Sequence, residues 1–526
     1  MIRGSARRPG YVLYIVLVVV VVLSLVAYQY ADAMASEAAA ASRSHELEQA
    51  RANAVSGVYH VAGLLTDPAY PSYNLDDDAG LFAGQWVGTA NAAGSEADPR
   101  FQGDANLRRG GGRFSVINLS DTTGTGVVRR YGVEDEGRKL NVNALILLDP
   151  VGNVLHDALV KLPYMTEEIA DAIVDWVDAD NSIRPAGAES EYYSGGQEPY
   201  RCKNGPISSV EELLLVRGVT PDLLFGGDRN RNGVQDADET SEAGFSRGWS
   251  EYLTCYGREI NVDTAGAPRV NLNNTDLLAL DAQLEPLLGR ELADYILYYR
   301  ISGQGEAFQA QLPQGRVPAA VADLRDLVQA ALDNGTPPRR KLTSVFTVLN
   351  TQIRLPQVRL ENGQMATPVV ACPLNDKAAL QGVAQVMVDQ LTASEDYEMV
   401  PRINVNSAPR EVIACLPGLE VADVDNILNN RPAPGSDPTA AWLVTAANLD
   451  PVKFKNVEKY VCGRSGAFRV RSVGYFGTPG GPVASVEAVI EVVAEDYDGS
   501  GPVAKPRIVY FRDTTDLGRV FDDLPR

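Results

Sequence analysis

The hydrophobic pattern opens with one long apolar run near the start of the chain. Tyr11 to Tyr30 reads YVLYIVLVVVVVLSLVAYQY, twenty residues without a charge. At 1.5 Å rise per residue, a helix of this length crosses the roughly 30 Å of a bilayer's hydrocarbon core. Arginines precede the run and acidic residues follow it. The run therefore predicts a single membrane span with a cytoplasmic N-terminus and the main body outside.

The stretch after the span predicts that the helix continues. Residues 36–59 are rich in Ala, Glu, Gln and Arg and contain no Pro, so nothing in them stops a helix. We expect one transmembrane and extended N-terminal helix over residues 11–65. A cleaved secretory signal peptide is the alternative, with the small residues 31–41 as its cleavage region.

Alternating apolar and polar residues predict strands at both ends of the remaining chain. The glycines at 477–481 and the segment 498–501 turn the corners between the last three, which form a meander. The predicted strands are 113–117, 128–133, 468–475, 485–493 and 506–511. The fold class is therefore α+β: a long N-terminal helix, which resembles that of pilins, packed on a small antiparallel sheet, with a large inserted helical domain.

An internal repeat organises the region between the strands. Asn-x-Asn precedes helical patterns at 141–143, 271–273 and 404–406. The short hairpin-like helices that follow are similar to SAM-like or helix-hairpin-helix domains. The predicted divisions are a leader (1–10), the N-terminal helix (11–65), the first part of the sheet (66–143), the inserted helical domain (144–400) and a helical repeat with the C-terminal strands (401–526). Residues 66–112 and 300–400 match no motif.

Composition excludes some functions of such a chain. Its 47 Lys and Arg against 68 Asp and Glu give a formal charge of -21, which repels nucleic acid even though hairpin helices sometimes bind DNA. With three His, no nucleophile–base pair and no glycine-rich phosphate loop, we expect no enzyme. The five Cys show no CxxC spacing and are interpreted as structural.

Residues 228–239, DRNRNGVQDADE, fit the calcium-loop pattern, with a glycine at its sixth position. Calcium prefers hard oxygen ligands arranged around a tight turn. The predicted ligands are Asp228, Asn230, Asn232, the carbonyl of Val234, Asp236 and Glu239. The alternative is a solvated acidic loop, and no long apolar helix follows that would complete an EF-hand pair.

A second acidic cluster follows the helix that contains Trp176. Asp178, Asp180 and Glu189 are its members. Asp178 and Asp180 lie at the carboxyl end of that helix, where the dipole disfavours negative charge, so a cation would relieve the repulsion. Spacing alone leaves a second calcium site and an ordinary surface cluster both open.

The sequence around the span resembles the leader of prepilins. Arg-Arg-Pro-Gly at 7–10 directly precedes Tyr11, and prepilins are cut after Gly by a prepilin peptidase, so the resemblance implies cleavage between Gly10 and Tyr11. Most pilins and major pseudopilins carry Glu at the fifth position after the cut. Here that position is Ile15.

The string from Ala170 to Leu224, with 131–143, 404–413 and the closing strands, is similar to the general secretion pathway protein K family. The resemblance implies a minor pseudopilin of a type II secretion system, anchored by a single pass in the inner membrane with a periplasmic body. It also implies calcium in the inserted domain and a complex with I-class and J-class pseudopilins at the pseudopilus tip. A calcium-stabilised minor pilin or adhesin of a type IV pilus-like system remains the alternative.

Overall fold

The computed structural model describes twelve parts of the chain. They are residues 11–66, 75–87, 112–119, 130–195, 199–228, 230, 239, 247–303, 305–361, 363–476, 481–495 and 503–517.

Helices form residues 11–65 and much of the middle of the chain. In chain order they are α1 (Tyr11–Leu65), α2 (Ala79–Phe82), α3 (Val142–Leu148), α4 (Asn153–Leu159), α5 (Glu167–Val177), α6 (Ser190–Ser194), α7 (Pro221–Phe225), α8 (Leu277–Leu288), α9 (Arg290–Ser302), α10 (Leu324–Asp333), α11 (Lys377–Gln390), α12 (Arg410–Cys415), α13 (Val421–Asn429), α14 (Trp442–Thr445) and α15 (Pro451–Val457).

Most strands are short, and the three long ones close the chain. They are β1 (Gln85–Trp86), β2 (Gly112–Asn118), β3 (Arg130–Tyr131), β4 (Glu134–Asp135), β5 (Leu140–Asn141), β6 (Leu253–Thr254), β7 (Glu259–Ile260), β8 (Val270–Asn271), β9 (Gly305–Ala307), β10 (Arg316–Pro318), β11 (Thr351–Arg354), β12 (Val358–Arg359), β13 (Met365–Ala371), β14 (Leu391–Thr392), β15 (Glu398–Met399), β16 (Ile403–Asn404), β17 (Val461–Cys462), β18 (Ala467–Phe476), β19 (Ala484–Glu495) and β20 (Val503–Asp513).

Helix α1 combines the apolar run with its polar extension in one uninterrupted element of 55 residues. It is long and apolar enough to cross a membrane, with a mean hydropathy of 2.8 in its most apolar window. Its first half is exposed, and burial starts at Ala50. From there every third or fourth residue is buried, through Val58 and Val61 to Leu65. This spacing places one face of the helix against the sheet.

The contact between α1 and the sheet depends on two glycines. A Cβ on Gly57 of α1 would lie 2.1 Å from Oγ of Ser472, and a Cβ on Gly474 of β18 would lie 2.1 Å from the carbonyl oxygen of Ala50. Neither distance is possible for a real side chain. The absence of Cβ atoms therefore lets the helix backbone lie directly on β18.

The sheet has seven antiparallel strands in the order β1-β2-β18-β19-β20, with β3 on β2 and β4 on β18. The predicted meander is confirmed as β18, β19 and β20. Of the segment predicted at 128–133, β3 and the start of the next turn lie in the described part, whereas residues 128–129 lie outside it. Inward side chains such as Phe114, Val470 and Ile490 form a core with α1, which establishes the predicted pilin-like α+β arrangement.

The large insertion leaves and rejoins this sheet at neighbouring positions. Asp135 of β4 pairs with Phe468 of β18, and Glu134 pairs with Arg469. The segment 136–466 therefore starts and ends at two adjacent, hydrogen-bonded strands, so the sheet forms without disturbance from the length of the insertion.

Buried charges hold this junction together. Lys139 Nζ lies 2.9 Å from Glu134 and 3.5 Å from Glu136, and Arg471 lies 3.2 Å from Glu134. Glu134 and Glu136 are almost completely buried. Burial opposes the ionisation of Glu134, but Lys139, Arg471 and Arg138 outweigh it and hold its pKa well below the ordinary range. Glu134, Glu136 and Lys139 belong to the string 131–143, whereas Arg471 lies on β18. The start of the insertion is therefore bonded to the sheet.

Glu487 of β19 extends the same network across the sheet. Arg469 pairs with both Glu136 and Glu487, and Arg471 Nε lies 3.0 Å from Glu487. Burial disfavours the Glu487 carboxylate, yet Arg469 and Arg471 outweigh this effect and lower its pKa to about 2. The network therefore connects three separate parts of the chain through charges that pair only when all three are in place.

Each Asn-x-Asn repeat opens a unit that closes on a short parallel strand pair. Strand β5 pairs with β6, β8 with β14, and β16 with β17. In each unit the first Asn ends the opening strand. The predicted repeat is therefore a repeat of structure, with unit boundaries at 140–254, 270–392 and 403–462.

The second Asn of each repeat ties the unit together. Asn143 Nδ2 donates to the carbonyls of Ile207 and Cys255, and its Oδ1 accepts from Ile207 N. Asn273 makes the same three bonds, to Leu342 twice and to Ala393. In both units the second acceptor directly follows the closing strand. The carboxamide thus joins the opening strand, the middle of the unit and the closing strand.

In the third unit, Asn406 makes the same kind of bonds, with one different partner. Asn406 Nδ2 donates to the carbonyls of Asp437 and Gly463, and Gly463 directly follows the closing strand β17. Its Oδ1 accepts from the indole of Trp442 in place of a backbone amide. All three units share one hydrophobic core that runs from Leu140 to Val461. All three units therefore pack together within the segment 136–466, between the paired strands β4 and β18.

The segment without a sequence motif contains a second sheet. Strands β9 to β13 form it in the order β10-β13-β11-β9, with β12 on β13 and one parallel pair, β10 with β13. The insertion is thus helical with an added five-stranded sheet. Its strands are two to seven residues long, too short to give a clear alternating pattern.

The five cysteines, all of them in described segments, are free thiols. Burial raises the pKa of Cys255 and Cys372 to about 12. A protonated, buried thiol reacts slowly, so the predicted structural role is one of packing rather than cross-linking.

The charge network predicts an acid-sensitive junction. Because the folded-state pKa of Glu487 is about 2 against an ordinary value of 4.5, its stabilisation is present above pH ~4.5 and is lost as the pH falls toward 2. When the pH falls from 5 to 3, the unfolding free energy of the Glu487→Gln variant should fall by roughly 2 kcal/mol less than that of the parent chain. Urea unfolding at each pH measures this. Glu495→Gln, at the half-buried end of the same strand, is the control. An equal effect in both variants would contradict the network's role.

The hydrogen bonds of Asn273 predict a large loss of stability when its side chain is removed. Asn273→Ala leaves one buried amide and two buried carbonyls without their partner, so we expect a loss of roughly 2–4 kcal/mol in unfolding free energy. Asn334→Ala, an exposed asparagine of the same unit, should cost less than about 1 kcal/mol. Similar losses of unfolding free energy in the two variants would show that the hydrogen bonds of Asn273 do not stabilise the unit.

Candidate functional site

The predicted second acidic cluster is brought together at the end of α5. Asp178 caps the C-terminus of α5, Asp180 follows it, and Glu189 caps the N-terminus of α6. One carboxylate oxygen from each lies within 4.8 Å of the other two. Asp178 and Glu189 are buried, and Asp180 is exposed, so the cluster opens to solvent on one side.

Two further aspartates on α5 hold the loop between these carboxylates. Asp171 accepts from Arg184 Nε at 2.8 Å and from Ala186 N at 3.0 Å, and Asp175 accepts from Arg184 N at 3.2 Å. A Cβ on Gly187 would lie 1.9 Å from Oδ2 of Asp175, so glycine is required for this close approach. These contacts hold the loop after α5 against that helix and bring Glu189 close to Asp178.

Two buried oxygen atoms at the cluster have no hydrogen-bond partner among the described residues. They are Oε1 of Glu189, a residue 6% exposed, and Oδ1 of Asn204. Asn204 belongs to the cluster's surroundings because its Nδ2 donates to the carbonyl of Asp180 and to Oδ1 of Asn181. Buried oxygens without donors are costly, and a cation would satisfy both.

The electrostatics of the cluster favour a cation. Burial, with the Asp180 charge second, raises the pKa of Asp178 to about 7. Burial also raises the pKa of Asp175 to about 6 and that of Glu189 above its ordinary range. Carboxylates that resist ionisation in this way become anionic again when a divalent cation binds.

The residues present fit calcium. Carboxylate and carboxamide oxygens form the donor set, and oxygens up to 4.8 Å apart can share one ion at 2.3–2.6 Å. Asp178, Asp180 and Glu189 would hold the ion, with Asn204 as a fourth oxygen ligand. The ion would supply a structural link between the end of α5, the start of α6 and the segment around Asn204.

The first predicted calcium loop is described at three of its positions. Asp228, Asn230 and Glu239 lie in the described part of the chain, whereas Asn232, Val234 and Asp236 lie outside it. Oε1 of Glu239, a buried residue, accepts from the backbone N of Asn230 at 2.8 Å. The twelfth position of the loop thus lies beside the third.

The predicted cleavage site lies at the edge of the described chain. Gly10 is outside it, and Tyr11 is the first residue of α1. Ile15 lies on the same helix with 62% of its surface exposed.

Sequence reasoning missed Asp171, Asp175 and Asn204. Residues 171, 175 and 178 are spaced i, i+4 and i+7, which places three aspartates on one face of α5. That spacing was a usable signal for the helix side of the site. Asn204 had none, because only the folded chain brings it to the cluster.

Comparisons with known proteins point to one family. Residues 138–225 match the family model for type II secretion system (T2SS), protein K. The chain is 42% identical over 57 residues to the type II secretion system protein K of Pectobacterium carotovorum subsp. carotovorum, which covers 11% of this chain and 17% of the relative. It is 41% identical over 61 residues to that of Aeromonas hydrophila, covering 11% and 18%. These alignments span less than a fifth of the relatives' length.

A solved structure aligns over a larger part of the chain. It is the GspK-GspI-GspJ complex from the type 2 secretion system of enterotoxigenic Escherichia coli, with 77% of this chain and 80% of that chain covered, 11% sequence identity and a TM-score of 0.31.

The fold defines a pilin-like α+β protein with an N-terminal helix of membrane-spanning length. Residues 138–225, within its insertion, match the family model for type II secretion system protein K, and the resemblance predicted from the sequence is confirmed. The candidate cation cluster lies inside this segment.

The two candidate cation sites predict calcium-dependent stability. A hundredfold excess of calcium over Kd stabilises the native state by about 2.7 kcal/mol per site, and extracellular modules bind at ~10⁻⁴–10⁻³ M. Calcium should therefore raise the melting temperature of the detergent-solubilised chain above its value in chelator. Asp178→Asn with Glu189→Gln should remove one part of this difference, and Asp228→Ala with Glu239→Ala the other.

The variants are compared by the difference between their melting temperatures in calcium and in chelator. Neutral substitutions also relieve repulsion between the carboxylates in the absence of metal, so the melting temperature in chelator changes as well. Glu191→Gln, an exposed acid on α6, serves as the control and should leave the difference unchanged. A melting temperature that does not respond to chelator in the parent chain would contradict both sites.

Proposed function

We propose that this chain is a minor pseudopilin at the tip of a type II secretion pseudopilus, where it initiates assembly with other minor pseudopilins and supports protein export across the outer membrane. The observation that carries the proposal is a protein K domain inserted in a pilin-like fold, between the adjacent strands β4 and β18. Its role is structural, as expected of a filament subunit, and not catalytic.

The N-terminal helix supports the membrane part of the proposal. Its first twenty residues lack charge and are exposed on every face, a surface suited to lipid or to neighbouring apolar helices. With arginines before the span, the positive-inside rule places the N-terminus in the cytoplasm. The sheet and insertion then lie in the periplasm, attached to the inner membrane by one pass.

The tip position is supported by two independent features. Other pilins hold Glu where this chain has Ile15, and that carboxylate pairs with the terminal amine of a neighbouring subunit. Without it, the usual pairing cannot form, which suits a subunit with no pilin above it. The bulk of the insertion, residues 136–466, would also obstruct a subunit stacked directly above.

Calcium is the cofactor that we propose for the insertion. The cluster of Asp178, Asp180 and Glu189 connects α5 to α6, so a bound ion would fix the orientation of two helices in the protein K domain. The ion would stabilise the surface that the insertion presents, and no chemistry is assigned to it.

Crosslinking in cells tests the proposed partners. Tyr59 is 64% exposed on α1 and Leu278 is 65% exposed on α8. A photo-crosslinking residue at Tyr59 should form adducts with I-class and J-class pseudopilins, because pilin-like subunits assemble through their N-terminal helices. The same residue at Leu278 serves as the matched control and should form far fewer. Adducts of Tyr59 with type IV pilus subunits would favour the minor-pilin or adhesin alternative and overturn the proposal.

Processing offers a second test. Gly10→Val should leave the precursor uncleaved, because a prepilin peptidase requires a small residue beside the bond that it cuts. Immunoblots should show a band larger than the mature protein by ten residues, still in the inner-membrane fraction. Mature-sized protein from this variant would show that the cut lies elsewhere.

A further inference from the structure

A cavity of about 280 Å³ lies between the pilin-like sheet and the third repeat unit. Leu75, Val133 and Phe468 form its wall on the sheet side, and the loop 431–438 forms its rim. Small-molecule sites usually measure ~300–1,000 Å³. The cavity is therefore suited to one or two side chains of a larger molecule and too small for an entire cofactor.

Arg431 lines this cavity and has no counter-ion among the described residues. Its Nη2 donates to the carbonyl of Ala408, and its buried Nε has no hydrogen-bond partner among the described residues. No ion pair within the described part of the chain includes it. Burial lowers its pKa to about 10, and the charge of Arg138 acts in the same direction. The guanidinium is thus a cation at neutral pH, held in a partly buried position without an anion.

The acidic residues around the cavity already have donors of their own. Asp135 accepts from Ser407 Oγ at 2.6 Å and from Asn404 Nδ2 at 2.7 Å. Asp437 accepts from Thr439, and Asp76 pairs with Arg130. These three carboxylates line the same cavity together with Arg464, which donates to the carbonyls of Val262 and Asp263. The carboxylates repel a dianion such as phosphate more strongly than they repel a single carboxylate. A single negative charge on an apolar stem fits best.

The rim favours a ligand that is part of a polypeptide. Pro432, Pro434 and Pro438 line it, which fixes φ and removes three backbone donors. Residues 433–436 are exposed beside the opening. A rigid, mostly apolar edge of this kind allows an extended backbone to lie outside while one side chain enters.

We propose that this cavity binds an acidic side chain, Glu or Asp, carried by an extended segment of a partner protein, with Arg431 as the anchor for its carboxylate. The guanidinium of Arg431 supplies a charge-assisted hydrogen bond, and Leu75, Val133 and Phe468 enclose the stem. The site is independent of the position of the chain in a filament.

Short peptides test this directly on the full chain in detergent. The probes are acetyl-Ala-Glu-Ala-amide, its neutral isostere acetyl-Ala-Gln-Ala-amide, and free glutarate, each titrated by ligand-observed NMR. We expect the Glu peptide to bind at least tenfold more tightly than the Gln peptide, because the Gln side chain leaves the cation unpaired. We expect glutarate to bind at least tenfold more weakly than the Glu peptide, because it has no backbone to contact the rim. Equal binding of the two peptides, or no binding of the Glu peptide, overturns the carboxylate site, and equal binding of glutarate overturns the polypeptide source.

Substitution of Arg431 separates binding from folding. Arg431→Met should abolish the preference for the Glu peptide while the melting temperature of the ligand-free chain stays the same or rises, since an unpaired buried charge is removed. Arg431→Lys keeps the charge and should retain part of the preference. A large fall in melting temperature, with the preference for Glu intact in Arg431→Met, would show that Arg431 only fastens α13 to Ala408.

Discussion

The buried charge network at the β4–β18 junction is the constraint on which the rest of the fold depends. Glu134 and Glu136 at the start of the insertion, Arg469 and Arg471 on β18, and Glu487 on β19 are paired only when insertion and sheet meet. Buried ion pairs are weak sources of net stability, but a missing partner is strongly destabilising. The network therefore specifies one attachment of a 331-residue segment, and alternative attachments leave charges buried without partners.

The insertion is ordered by local contacts that recur in each of its three repeat units. Each unit closes through an asparagine carboxamide and a two-residue parallel strand pair, which satisfies backbone groups that the short helices leave open. Within the first unit, α5 carries aspartates that either bind the following loop or face the candidate cation. The same helix thus provides packing through its apolar face and a cation cluster at its end, so a bound ion would stabilise the domain that the family comparison identifies.

Much of this could be predicted because the signals are local. The helix of residues 11–65 follows from charge-free length and the absence of proline, the meander from alternation, and Asp178, Asp180 and Glu189 from acidic residues beside a helix end. The charge network could not be predicted, because Glu134 and Arg471 are 337 residues apart and neither position is unusual alone. The second sheet has strands too short for a pattern. Asn204 and Arg431 acquire their roles only from what surrounds them in the folded chain.

We propose that the pilin-like body with its protein K match ends a filament, because Ile15 and the insertion are both unsuited to a subunit above. Counting copies per pseudopilus tests this most directly, by quantitative labelling of an epitope on the exposed loop around residue 435 in purified filaments. We expect about one copy per filament, at one end, and Ile15→Glu should leave that number unchanged. Many copies along the length of wild-type filaments would contradict the tip assignment.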